Sequence, residues 1–391
     1  MSNYPTYNPL IICNILNHGN TYDEWSTSFI IALSKIEEVQ SVKIIAPLSN
    51  GGSEISLPKK CQLNSILDYK NPFSILSIIP EIINSNNDTI IIVSGPTAFG
   101  NNALSNIFGM ILPFVLKIFT KKTVKIINQG SAFTHNVKAL GYSGWINTLK
   151  LKFSMVLEKI VYKKVKTYFQ LNYYCELIGK KLGRGHVGGL LISDYIDAIA
   201  TLYINGMDEK KTIPRQIQHD NIKILLHGFW GPQKNPEIAL KAIQVMKKKY
   251  PNILVTVSGG INSHFVNYNE YFLSLLDSYK ECIERYLGYV QEKELFNLFI
   301  EHQIVLMPYI ASGGQSGVLE TASFFENIVV CTDLPEFREE KKSDLIILTS
   351  LDDFERATEK AINMVEIIPK EIEVSNKINI VIENLKKFIQ D

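Results

Sequence analysis

The sequence predicts an α/β protein with two Rossmann-like domains, each built on a parallel sheet. Three observations predict it. The chain has 391 residues, and domains usually run about 100–200 residues, so two are expected. Short runs of Ile, Val and Leu alternate with segments of helical length, the rhythm of βαβ units. A polar stretch at 206–221 (GMDEKKTIPRQIQHDN) interrupts that rhythm, which then restarts, so this stretch reads as a linker.

The first domain is assigned to 1–205. Its candidate strands fall at 10–13, 42–46, 89–93, 124–127 and 167–171. Each is short and apolar, as expected where helices cover both faces of a sheet. Segments 25–36 and 107–119 are long enough for helices. The second domain is assigned to 222–370. It opens with a strand at 222–226, a loop at 228–235 and a helix at 236–250, with Asn235 as N-cap and Pro236 at the first helical position. Strands follow at 253–257, 286–287, 304–307 and 329–331, with a helix at 293–299. The end of the chain, 371–391, reads as an amphipathic helix, and packing back on the first domain is one option for it.

Composition narrows the class. Hydrophobic residues make up 46% and charged residues 20%, which suits a folded globular chain. The net charge is +1 but is unevenly spread. Residues 1–200 carry 19 basic and 12 acidic side chains, and the remainder carries 21 and 27. Such asymmetry fits attraction of the first half to an anionic surface, or two domains that differ in composition. Five scattered cysteines with no C-x-x-C pair argue against a disulfide framework or zinc cluster, and no metal site is expected. The start lacks a basic n-region and a small-residue cleavage site, so no signal peptide is read. The most apolar stretch, 107–119, is short for a membrane span and contains Pro113 and Lys117. A cytoplasmic protein is expected, with peripheral contact at the inner membrane face as an option. That option rests on Lys150, Lys152, Lys159, Lys163, Lys164 and Lys166, set among Leu, Phe, Val and Ile. A basic amphipathic helix can lie on anionic lipid, and a plain solvated lysine face gives the same pattern. No RNA-binding motif is readable, so nucleic acid is not an expected partner.

Two motifs carry chemistry. In HGFWGPQKNPEIALKAI (227–243) a strand ends, a loop with Gly228 follows, and a helix begins just after Lys234. Helix-start N–H groups beside an ammonium favour phosphate; a plain βα loop with a surface lysine is the alternative. In ASGGQSGVLETASFF (311–325), Ser312, Gly313, Gly314, Gln315, Ser316 and Gly317 form a turn poor in bulky side chains. The helix starting near Gly317 and Val318 would aim N–H groups, through Leu319, at an anion. Glu320 in its first turn can accept from a ribose diol. The alternative is a close-packing turn with a carboxylate favoured by the helix dipole.

Taken in order, Lys234, Ser258-Gly259-Gly260, Leu287-Gly288-Tyr289-Val290 and the Gly-rich turn with Glu320 resemble the C-terminal domain of GT-B retaining glycosyltransferases of family 4. The resemblance covers about residues 222–340. It implies a GT-B architecture, two Rossmann-like domains facing a central cleft. It also implies transfer of a sugar from a UDP- or GDP-sugar to an acceptor, with retention of configuration. Family 4 holds the donor diphosphate with Gly-Arg-x-x-x-x-Lys-Gly; here Gly228 and Lys234 match, Phe229 replaces the arginine and Asn235 the second glycine. Tyr289 and Val290 fall in the loop that holds the base. Glu320 matches the second of two glutamates eight positions apart, the one on the ribose; the first falls on Ser312.

In the first half, Asn17-His18-Gly19-Asn20 stands where the family has a Gly-rich loop, and His135 lies a few residues past the family's N-domain histidine. The resemblance thus gives Lys234, Glu320 and His135 catalytic roles. It gives Gly19, Gly228, Tyr289, Val290 and 312–319 donor contacts. No cofactor beyond the donor nucleotide sugar is implied. The acceptor is expected to be a sugar or a lipid-linked sugar. The departures at Phe229 and Ser312 keep a second reading open, a non-catalytic GT-B-like partner of an active transferase.

Overall fold

The computed structural model describes residues 6–14, 21–48, 56–95, 98–99, 102–134, 144–182, 187–189, 195–216, 220–262 and 265–391. Contacts divide the chain into two units. Among the described residues, one comprises those up to Thr134, with Gly144–Ala200 and Asn379–Asp391; the other comprises those from Thr201 to Ile378.

The first unit carries a seven-stranded sheet of β1 (Leu10–Ile12), β2 (Val42–Pro47), β3 (Cys61–Leu67), β4 (Thr89–Ser94), β5 (Thr123–Asn128), β6 (Lys166–Phe169) and β7 (Val187–Gly189). Their order is β3-β2-β1-β4-β5-β6-β7, and every pairing is parallel. Ile11 stands opposite both Ile44 and Ile91. These central strands are buried along their length, which is why they read as unbroken apolar runs. The last residues of the chain return to this unit. Lys125 Nζ, on β5, donates to the carbonyls of Phe388 (2.6 Å) and Ile389 (3.1 Å) and lies 4.8 Å from the Phe388 ring centroid. A lysine thereby satisfies the unpaired carbonyls that end the helix Ser375–Gln390.

The second unit carries a six-stranded sheet, with a two-stranded pair beside it in the chain. Its strands are β8 (Thr212–Pro214), β9 (Ile222–His227), β10 (Ile253–Gly259), β11 (Glu284–Leu287), β12 (Ile304–Met307), β13 (Ile328–Thr332), β14 (Ile346–Thr349) and β15 (Glu371–Glu373). The large sheet runs β11-β10-β9-β12-β13-β14, all parallel. Its core gathers Ile224, Leu226, Leu240, Ile243, Val255 and Phe272 with the inner faces of the flanking helices.

Several features depart from the sequence expectations. β3, β7 and β14 are not among the expected strands: β3 is an edge strand with a half-exposed, polar sequence (CQLNSIL), β7 is only three residues long and β14 only four. The segment expected as a linker contains β8, which pairs antiparallel with β15. The expected helix over 371–391 therefore starts later, at Ser375, because Glu371–Glu373 is extended in that pairing. Asn235 sits at the helix start but does not cap it with its side chain. It closes the 3-10 turn Pro232–Lys234 in the left-handed conformation (φ 44°), whereas a capping side chain needs extended backbone.

Candidate functional site

In an open parallel sheet, ligands bind outside the carboxyl ends of the strands where the strand order reverses. In the second unit that reversal falls between β9 and β12: β10 and β11 extend to one side, β13 and β14 to the other. The loop after β9 carries Gly228 and Lys234, and the loop after β12 carries the Gly-rich turn. Two motifs more than 70 residues apart in the chain thus leave the same edge of the sheet from neighbouring strands.

The ends of β9, β10 and β11 are stitched together by backbone. Gly228 N–H donates to the Ser258 carbonyl (3.3 Å), Gly288 N–H to that of Gly259 (3.0 Å), and Trp230 N–H to that of Gly260 (2.7 Å). Gly259 has φ +111°, and a Cβ there would overlap the Gly228 carbonyl, so only glycine lets these strand ends approach. Gly288, at φ +126°, turns the chain so that Tyr286 and Tyr289 stand exposed on either side of it. Phe229, at the family's arginine position, is 43% exposed beside Gly260.

Lys234 ends the turn Pro232–Lys234 and is half-buried, with Nζ 3.7 Å from the centroid of the Tyr309 ring. Its turn is tied to the second motif: Ile310 N–H donates to the Gln233 carbonyl (2.9 Å) two residues ahead of Ser312. Burial pushes the Lys234 ammonium down to about 7. Burial, and secondarily Lys234, pushes His227 down to about 4, so its imidazole is neutral at pH 7; its Nδ1 lies 2.9 Å from Ser258 Oγ. The buried Tyr309 hydroxyl faces Gly228 and meets no hydrogen-bond partner among the described residues.

The Gly-rich turn is half-buried. Ser312 Oγ donates to the Gly314 carbonyl (2.6 Å), and Gln315 is half-buried next to Ser316. Ser316 is the N-cap of the helix Gly317–Phe324: its hydroxyl accepts from Leu319 N–H (3.4 Å), and its own N–H donates to Glu340 Oε1 (3.1 Å). The N–H groups of Gly317 and Val318 precede the first intrahelical bond, from Glu320 N–H to the Ser316 carbonyl. Gly317 is exposed and Val318 half-buried. Glu320 is 1% exposed, and its Oε1 lies 2.6 Å from Lys342 Nζ. That ion pair turns the carboxylate toward the loop before β14.

In the first unit, a buried carboxylate holds the loop after β5. Glu158 accepts from the Ala132 N–H (3.0 Å) and the Ser131 hydroxyl (2.5 Å), and Asn128 is bonded to the Tyr162 hydroxyl. Burial raises Glu158 to about 7 against those hydrogen bonds. Gly19 and His135 lie outside the described residues.

Sequence reasoning missed Tyr309, His227, Glu340 and Lys342. Tyr309 had a signal, since an aromatic directly after β12 and Pro308 must stand at the strand's carboxyl end. Lys342 had none, because it reaches Glu320 only through the fold of the helix, β13 and the turn before β14.

The fold is of the GT-B class, two Rossmann-like units in one chain. Among solved structures it is similar to sucrose-phosphate synthase from Thermosynechococcus elongatus, with TM-score 0.67 and 10% identity over 98% of each chain. It is also similar to HepE from Anabaena in complex with UDP and glucose, with TM-score 0.58 and 8% identity over 98% of this chain and 94% of that one. UDP-GlcNAc 2-epimerase from Neisseria meningitidis bound to UDP-GlcNAc has TM-score 0.53 and 14% identity over 97% of this chain and 100% of that one. No family model and no curated protein matches the sequence.

Proposed function

We propose that this protein is a glycosyltransferase that binds a UDP- or GDP-sugar at the β9/β12 switch point of its second unit and passes the sugar to an acceptor. We assign retention of configuration with it on the family 4 resemblance, and metal independence because the sequence holds no Asp-x-Asp cluster with supporting carboxylates. The acceptor is assigned by class, a sugar or lipid-linked sugar. One observation carries the reading: the lysine turn and the Gly-rich helix start, separate in sequence, are joined by the Ile310–Gln233 hydrogen bond at the strand ends where this sheet type takes ligands. Three solved structures of similar fold, named for sucrose-phosphate synthesis, UDP and glucose binding, and UDP-GlcNAc, support a nucleotide sugar as the ligand class.

The chemical demand is negative charge developing on a leaving diphosphate. Lys234 and the Gly317 and Val318 N–H groups would stabilise it as preset dipoles and charge. Tyr289 and Val290 would hold the base through backbone groups. Glu320 would receive the ribose after exchanging its contact with Lys342.

The test is a thermal shift with UDP and GDP, because a ligand bound only by the native state raises apparent stability. It is followed by transfer and hydrolysis assays over a panel of UDP- and GDP-sugars with Lys234→Ala and Glu320→Ala. Unchanged rates in both variants would reject these roles.

The Glu320–Lys342 pair and Ser312 in place of the first glutamate favour a second reading, a protein that binds the nucleotide sugar without turning it over. A nucleotide-induced shift with no product from any donor would select it.

A further inference from the structure

The first unit has a helix that is apolar on two opposite sides. Trp145–Tyr162 packs Glu158, Val161 and Tyr162 into its unit, and it lies against the helix Ala103–Phe119. On its outward side Trp145, Ile146, Leu149, Phe153, Val156 and Ile160 are all about half exposed or more, with Trp145 at 75%. At the helical pitch these six fall within an arc of roughly 100°, the width of a face that would ordinarily be buried. The neighbouring helix ends in Ile118 and Phe119, 59% and 66% exposed. Scattered exposed apolar residues are ordinary, but an aligned stripe on one helix marks an interaction surface.

The charges beside the stripe select its occupant. Lys152 and Lys159 border it on one side and Lys150 on the other, all exposed, and Lys163 follows the helix. The helix has one acidic residue, Glu158, and that one is buried and hydrogen-bonded to Ser131 and Ala132. A second copy docked symmetrically on this stripe would bring lysine rows against lysine rows, because a two-fold interface pairs a patch with itself. An anionic bilayer surface instead meets both components, with apolar side chains entering the acyl boundary and lysines facing headgroup charge. Among the described residues no helix is long and apolar enough to cross a membrane, so the contact would be interfacial.

We infer that the outward face of Trp145–Tyr162, with the end of the adjoining helix, docks this protein on an anionic lipid bilayer. The inference does not depend on what the second unit binds.

The test is flotation of the full chain with vesicles of phosphatidylcholine alone and of phosphatidylcholine mixed with phosphatidylglycerol, whose negative surface potential attracts lysine-rich segments. It compares wild type, Leu149→Ser/Phe153→Ser and Lys150→Glu/Lys152→Glu/Lys159→Glu, with light-scattering mass measured without vesicles. All these positions are exposed or at the helix surface, and unchanged thermal midpoints verify the fold. The expected result is flotation with anionic vesicles only, weakened by salt and reduced at least tenfold in both variants. Absence of flotation with either vesicle would overturn the inference, as would variants that float like wild type. A dimer that the serine variant converts to monomer would also overturn it, by assigning the stripe to a second copy.

Discussion

The Lys234 ammonium stands 3.7 Å from the centroid of the Tyr309 ring. The ring face supplies partial negative charge to a cation that burial has stripped of much of its water. Burial nevertheless dominates and holds the ammonium near 7 rather than above 10. A lysine in this state gains most from an anion brought within reach, because the anion restores the charge that desolvation disfavours.

Binding of a nucleotide sugar is therefore expected to depend on pH through Lys234. Below pH 7 the ammonium is charged and affinity is level; above pH 7 affinity falls, by at most roughly tenfold per pH unit for one proton taken up on binding. Titration calorimetry with UDP-glucose from pH 6 to 9 reads this, since its diphosphate does not itself titrate there. Lys234→Met should bind more weakly and show a level profile. A sloping profile in that variant would place the titrating group elsewhere.

Tyr309→Phe is expected to leave stability within about 1 kcal/mol of wild type, or raise it, since it deletes a buried hydroxyl that meets no partner among the described residues and keeps the ring. The thermal shift with nucleotide should shrink in the same variant. Urea unfolding showing a loss above about 2 kcal/mol would mean that the hydroxyl makes a bond in the ligand-free protein.

The Glu320–Lys342 pair is largely buried, at 1% and 16% side-chain exposure. Removing Lys342 takes the 2.6 Å ion-pair contact from a carboxylate that is 1% exposed, so Lys342→Met should destabilise by about 3 kcal/mol. The double variant Glu320→Leu/Lys342→Met should recover most of that. A double-mutant cycle by denaturant unfolding checks it, and additive single effects would show that the pair is not coupled.

Glu158 gives a stability prediction with a definite sign. In the folded protein it titrates at about 7, above the ordinary carboxyl value of 4.5, so the folded state holds a proton that the unfolded state releases between these pH values. Its contribution is fully present below pH 4.5 and is lost as pH rises through 7. The thermal midpoint should fall across that window in wild type and fall less in Glu158→Gln. Parallel curves for the two proteins would count against the assignment.

The two-domain α/β class was legible because its strands are buried on both faces and leave continuous runs such as Ile90-Ile91-Ile92-Val93. β3 was not legible, because an edge strand half open to water has a mixed sequence, as Gln62 and Asn64 show. β8 and β15 were not legible either, since three-residue strands exist only by pairing with each other across the unit. In the site, the order of Lys234, Gly259-Gly260, Gly288 and the Gly-rich turn was readable, since glycines mark where backbone must turn or approach closely. Side-chain partnerships were not readable. Nothing near Glu320 in sequence announces Lys342, and nothing near Ser316 announces Glu340.

By itself the sequence determined where the buried central strands, the long helices and the glycine turns fall, because hydrophobic period and backbone freedom are local properties. Only the tertiary structure decided that Lys234 rests on Tyr309 and that Glu320 is held by Lys342. It also decided that the apolar stripe beginning at Trp145 faces outward. Those outcomes depend on which surfaces the strand order brings together, and strand order is a property of long-range pairing that no local pattern encodes.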